Sequence, residues 1–118
     1  MTTIRAYTTI EQSKKLTEIL PLESADMMYQ EYETVIGDDY GYSHRIQHFF
    51  SSDIEGIPCW SLAALLGVLP EIKGCKPIIA LDDNYITYPH ISDLHTKADN
   101  PVDACYELIL KLNEFKML

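Results

Sequence analysis

Pro77-Ile-Ile-Ala-Leu-Asp-Asp-Asn-Tyr-Ile-Thr-Tyr88 holds two short β-prone runs, residues 77–82 and 85–88, that meet at Asp83–Asn84. Ile, Thr and Tyr favour a pleated, half-buried surface, and Asp and Asn tolerate the backbone of a tight turn. The stretch therefore predicts a hairpin of two antiparallel strands. A third short strand is expected at residues 90–95. Beyond it, Asn100-Pro-Val-Asp opens a helix. Asn100 caps it, Pro101 takes the first helical position, where a missing N–H costs nothing, and Asp103 stands at the third. Val102, Cys105, Leu108, Ile109 and Leu112 recur at helical spacing as an inner stripe. Asp103, Glu107, Lys111 and Glu114 form the wet side, with Glu107–Lys111 an i,i+4 pair.

Upstream of the hairpin, Trp60-Ser-Leu-Ala-Ala-Leu-Leu-Gly-Val-Leu reads as a compact helix started by Ser61 and ended by Pro70. Its positions are almost all apolar, which predicts burial against a sheet. Residues 44–50 read as a strand with Ile46, His48 and Phe50 on one face and Arg45, Gln47 and Phe49 on the other. Residues 37–42 (Gly-Asp-Asp-Tyr-Gly-Tyr) read as a turn or loop, and residues 51–58 as a polar connection. Residues 28–36 fit helical spacing and strand alternation equally well. Near the N-terminus, Thr9 caps a helix that reaches about residue 20, and Gln12 completes a capping box. Ile10, Leu16, Ile19 and Leu20 form its apolar side, and Pro21 stops it. A further helical turn is expected around residues 24–28, capped by Ser24. Without a repeat, linker or low-complexity tract, residues 1–118 read as a single domain. Three helices and hairpin-joined strands predict an α+β fold, an antiparallel sheet of about four strands packed against about three helices.

Composition sets the outer limits of function. The 118 residues carry 18 Asp and Glu against 9 Lys and Arg, a net charge of −9. A hydrophobic share of 47% with 8 Tyr is too rich for a disordered chain. Apolar runs such as residues 78–81 are far shorter than the roughly 20 residues of a membrane span, so no membrane role is expected. Met1-Thr-Thr-Ile-Arg-Ala lacks the basic head and apolar stretch of a signal peptide. Cys59, Cys75 and Cys105 show no CxxC spacing and cannot all pair, which points to the reducing cytoplasm. Cys59 and Cys105 sit in apolar surroundings and read as core residues, whereas Cys75 has Lys73 and Lys76 as basic neighbours. Only Lys14 and Lys15 are adjacent bases, and Glu11 and Glu18 flank them, so no conventional DNA- or RNA-binding role is expected.

Few motifs for chemistry are present. His44 and His48 lie about 13 Å apart along a strand, too far for one small metal ion. His90, Asp93 and His95, within Pro89-His-Ile-Ser-Asp-Leu-His, form the one arrangement from which a zinc or hydrolase site is conceivable. Their spacing matches no strong metal signature, and surface histidines at strand ends are the simpler account. Asp38–Asp39 and Asp82–Asp83 stand where turns are expected and lack the pattern of a calcium loop. Gly-x-Ser-x-Gly, Gly-x-Gly-x-x-Gly and Gly-Lys-Ser/Thr are missing, which excludes phosphate cradling and hydride transfer. No cofactor, resident metal or catalytic residue is expected.

The acids are uneven. Residues 23–55 hold Glu23, Asp26, Glu31, Glu33, Asp38, Asp39, Asp53 and Glu55 against Arg45 alone, so 1 − 8 gives −7 of the chain's −9. Tyr29, Tyr32, Tyr40 and Tyr42 are interleaved with Glu31, Glu33, Asp38 and Asp39. Tyrosine beside carboxylate is a common contact-surface composition, because rings bring area at low entropic cost. These eight residues are the expected interaction surface, toward a protein partner or a second copy. The plainer alternative is that the rings cover the sheet.

Thr9-Ile-Glu-Gln-Ser-Lys-Lys-Leu, Ser24-Ala-Asp-Met, Ile57-Pro-Cys-Trp-Ser-Leu-Ala-Ala-Leu-Leu, Ile91-Ser-Asp-Leu-His and Asn100-Pro-Val-Asp-Ala-Cys-Tyr-Glu-Leu-Ile resemble blocks of small uncharacterised proteins encoded by phages and mobile elements of gut Bacteroidales. The resemblance implies an accessory cytoplasmic protein acting on other proteins, with specificity in residues 29–56. The leading expectation is a non-catalytic protein-interaction module. The alternatives are a small metal-dependent hydrolase using His90, Asp93 and His95, and an acidic nucleic-acid mimic that inhibits a DNA-binding enzyme.

Overall fold

The computed structural model describes residues 6–37, 39–80, 84–89, 91 and 94–118. Among these the fold is α+β, with three α-helices and six strands. The strands form two antiparallel three-stranded sheets, where the sequence suggested about four strands in one. The chain divides into two compact units, Thr9–Trp60 and Met1–Thr8 with Ser61–Leu118.

In the Thr9–Trp60 unit, helix α1 (Ile10–Thr17) begins with the expected capping box. The Gln12 N–H donates to the Thr9 hydroxyl at 3.1 Å, and the Thr9 N–H donates to Gln12 Oε1 at 3.0 Å. The helical turn expected at residues 24–28 is instead a 3-10 turn at Leu22–Ser24. Ser24 ends it rather than capping it, because its hydroxyl donates back to the Pro21 carbonyl at 2.6 Å. Met27 and Met28 already belong to strand β1 (Met27–Ile36).

β1 pairs with β2 (Asp39–Gln47) from Met28↔Gln47 to Ile36↔Asp39, which resolves the ambiguous residues 28–36 as strand. Gly37, at φ +64°, takes the left-handed backbone that glycine adopts without steric cost. The strand read at residues 44–50 is thus shifted toward the N-terminus, and residues 39–42 are strand rather than loop. Hydrogen-bond partners explain the shift. β1 supplies them back to residue 39, whereas the shared register ends at Met28↔Gln47. Strand β3 (Ile57–Cys59) interrupts the expected polar connection and pairs with β1 from Met27↔Cys59 to Tyr29↔Ile57. The order is β2-β1-β3, and α1 packs on β3. Leu16, Leu20, Met27, Met28, Cys59 and Trp60 are buried.

In the other unit, Ser61 caps helix α2 (Leu62–Val68) by accepting the Ala64 N–H at 3.1 Å. Of the helix only Leu65 is buried, followed by Leu69, while Ala63 and Gly67 are exposed. The full burial expected of this apolar segment does not occur, since small residues on its outer side lose little by facing water. Strands β4 (Ile78–Ala80) and β5 (Tyr85–Thr87) form the expected hairpin, with Ala80↔Tyr85 as the inner pair. Residues 81–83 lie outside the described residues; Asn84, at φ +51°, donates from Nδ2 to the Asp99 carbonyl at 2.9 Å. The third strand, β6 (His95–Lys97), starts where residues 90–95 were expected to end. Its register on β5 runs from Thr87↔His95 to Tyr85↔Lys97. Helix α3 (Pro101–Glu114) follows, with the Asp103 N–H donated to Asn100 Oδ1 at 3.0 Å. Its expected inner stripe of Val102, Cys105, Leu108, Ile109 and Leu112 is buried. α3 packs on β5, β6 and α2, and the Thr96 hydroxyl donates to the Ala104 carbonyl at 2.6 Å. No helix among the described residues is long and apolar enough to cross a membrane.

Candidate interaction surface

The β1–β2 hairpin carries the residues singled out by charge and tyrosine content. Strand alternation puts Tyr29, Glu31, Glu33 and Val35 on one face of β1, and Gln30 and Tyr32 on the other. Register then decides their neighbours. Glu31 lies opposite His44, and Glu31 Oε2 is 3.8 Å from His44 Nε2, an ion pair whenever the imidazole is protonated. The Tyr29 ring meets the His44 ring edge-on, with centroids 6.5 Å apart at 89°. This is the diagonal cross-strand contact long side chains reach. On the opposite face the Arg45 guanidinium stacks 4.5 Å from the Tyr32 ring centroid. Beside it, Gln47 Nε2 donates to Gln30 Oε1 at 3.1 Å. Among the described residues, the single base of the acidic window is therefore engaged with an aromatic ring.

Where β3 leaves β1, an open cleft of about 420 Å³ forms, lined by Tyr29, Glu31, His44, Glu55, Gly56 and Ile57. Glycine is required at its corner. A Cβ on residue 56 would stand 2.6 Å from the Tyr29 carbonyl oxygen and 2.6 Å from Met28 Cε. The backbone thus passes β1 closely and then diverges, opening the space. Two carboxylates and a phenol ring suit this cleft to a cationic group. Among the described residues no group of three or more His, Cys, Asp or Glu is placed to hold a metal. A shallower groove between β6 and α3 mixes signs, with His95, Lys97, Lys111, Glu107 and Glu114.

Of the eight residues expected to form the surface, Glu31, Tyr32 and Glu33 are exposed on β1 and Tyr29 is half-buried beside them. Asp38 lies outside the described residues. Asp39, Tyr40 and Tyr42 lie on β2 opposite Ile36, Val35 and Glu33, and their side chains are outside the described ones. His90 and Asp93 also lie outside them, as do Asp82 and Asp83. His95 is exposed on β6 with its ring 5.8 Å from that of Tyr85. Cys59 and Cys105 are buried as read, and burial pushes the Cys105 thiol up to about 12. Cys75 is a half-buried free thiol.

Sequence reasoning missed His44, Glu55 and Gly56 as members of one cleft. A lone glycine just before Ile57-Pro-Cys is a signal of close backbone approach, but it does not say what is approached. Comparison with protein-family models, with curated proteins and with solved structures yields no match.

Proposed function

We propose that this chain is a non-catalytic, cytoplasmic accessory protein of mobile-element type that works by binding another protein, or a second copy of itself, through the acidic, tyrosine-bearing β1–β2 hairpin. The observation that carries the reading is exposure on both faces of that hairpin. Glu31, Glu33 and Val35 are exposed on one face, Val35 at 57%, and Tyr32 is exposed on the other at 36%. A two-stranded ribbon is only marginally stable in water by itself. Aromatic and apolar area held out on such a ribbon gains by being covered. The acidic charge adds steering toward a basic partner, which acts on association rate more than on affinity.

The test is a pull-down from a gut Bacteroidales lysate with the wild-type chain and with a Glu31→Lys/Glu33→Lys variant, together with sedimentation of both. Recovery of a partner, or self-association, that the variant loses supports the reading. Equal behaviour of the two proteins overturns it.

A further inference from the structure

We infer that the partner segment is an extended, Lys- or Arg-rich peptide that adds as a strand to the edge of β1 over residues 31–35 and seats a basic side chain in the cleft at Tyr29, Glu31 and Glu55. The inference rests on the interaction reading above and specifies its partner and mode.

β1 has ten residues, and β2 flanks it from Met28 to Ile36. On its other side β3 reaches only from Met27 to Tyr29. Beyond Tyr29 that edge has no strand beside it among the described residues. Every second residue of such an edge turns its N–H and C=O outward, a template for a further strand. Charge selects what can use it. A second copy pairing edge to edge would bring Glu31 and Glu33 against carboxylates of their own kind, and like charges across a pair destabilise it. A peptide with Lys or Arg at alternate positions places cations beside Glu31 and Glu33 instead. The cleft lies at the inner end of the open edge, where the Tyr29 ring and two carboxylates suit an ammonium or guanidinium head. The outer edge of β2 is a poorer site for a basic peptide, since that strand carries His44 and Arg45.

The experiment titrates the full-length chain with a short peptide alternating Lys and Val, read by calorimetry and by backbone amide shifts. Controls are the same peptide with Glu for Lys, and with alternate backbone amides N-methylated. Binding of the Lys peptide with shifts along residues 31–35 is expected. Glu31→Gln/Glu33→Gln should weaken it by about tenfold, two exposed ion pairs being removed. The Glu and N-methylated peptides should not bind. Equal binding of the N-methylated peptide, unchanged affinity of the Gln variant, shifts along β2 only, or no binding of the Lys peptide overturns the inference. If no Lys peptide binds while Glu31→Lys/Glu33→Lys still abolishes partner recovery, the inference falls and the interaction reading stands. If recovery is unaffected as well, both fall.

Discussion

Trp60 donates its indole N–H to the Ser24 hydroxyl at 2.9 Å, joining residues 36 apart in the chain, and Ser24 in turn donates to the Pro21 carbonyl. The Trp60 side chain is fully buried, so its polar atom must be satisfied inside the unit. The same serine therefore closes the 3-10 turn and receives the tryptophan that follows β3. Ser24→Ala removes both bonds and should lower stability by about 1–2 kcal/mol in denaturant unfolding. Ser24→Thr keeps a hydroxyl and should lose less. Equal stability of Ser24→Ala and wild type would show that the indole is satisfied elsewhere.

Two glycine substitutions should behave differently. Gly56→Ala puts a methyl group against the Tyr29 carbonyl, a backbone atom that cannot turn aside, and β3 must move. A loss of about 1–3 kcal/mol is expected, with chemical shifts changing along β3. Gly37→Ala meets open space and suffers only the strain of a left-handed backbone, about 1 kcal/mol. Unfolding curves that rank Gly37→Ala as the more damaging would contradict the close approach at the cleft.

Asn100 is 3% exposed and holds the start of α3 twice. Its Oδ1 accepts the Asp103 N–H, and its Nδ2 donates to Asp103 Oδ2 at 2.8 Å. Asn100→Ala should cost about 1 kcal/mol, near the middle of the range for N-caps, and should fray the first turn in amide exchange. Asn100→Asp retains the capping oxygen but brings it against the Asp103 carboxylate, so a partial rescue is expected, weaker at low salt.

Alkaline pH should unfold the chain gradually. Burial pushes the Tyr88 hydroxyl, which donates to the Pro70 carbonyl at 2.6 Å, from the usual 10.0 up to about 12. Burial likewise pushes the Cys105 thiol from 9.0 up to about 12. Tyr106 shifts upward too, through burial and the neighbouring Glu107. In each case the folded chain keeps a proton that the unfolded chain releases; for Tyr88 and Cys105 the stability this gives is complete below about pH 9 and falls as pH rises toward 12. Tyr88 and Cys105 each contribute about 1.4 kcal/mol per pH unit inside their windows. Tyr88→Phe should flatten the decline above pH 10, measured by urea midpoints at stepped pH. A decline as steep as wild type would remove Tyr88 as a cause.

Thiol labelling should separate the cysteines by burial. Cys59 and Cys105 are buried and Cys75 is half-buried, so an alkylating reagent at neutral pH should modify Cys75 in the folded chain and all three in denaturant. Mass spectrometry of digested protein gives the answer directly. Modification of Cys105 at the rate of Cys75 would mean that α3 opens readily.

The helices were legible in the sequence because their decisive chemistry is local. A cap and its partner lie three residues apart, as in Thr9 with Gln12, Ser61 with Ala64 and Asn100 with Asp103. The buried stripe of α3 follows from 3.6-residue spacing alone. That β4 and β5 pair as neighbours along the chain was legible for the same reason. The concentration of acids in residues 23–55 is a property of the sequence itself. Strands are different, since the groups that satisfy their backbone lie far along the chain. Residues 28–36 became strand because β2 pairs with them residue for residue. Residues 57–59 became strand because β1 stood beside them, although residues 57 and 58 read as the end of a polar connection.

The candidate site follows the same division. That Glu31 and Tyr32 belong to an exposed, acidic stretch was in the sequence. Register alone placed Glu31 against His44 and Tyr32 under Arg45. β3 pairs with β1 only as far as Tyr29, where Gly56 passes close by, and beyond it no strand among the described residues lies on that edge of β1. Local propensity thus determined the helices, their caps and the charge of the hairpin. Only long-range pairing decided which of those charges meet, because hydrogen bonds between strands form across the chain and not along it.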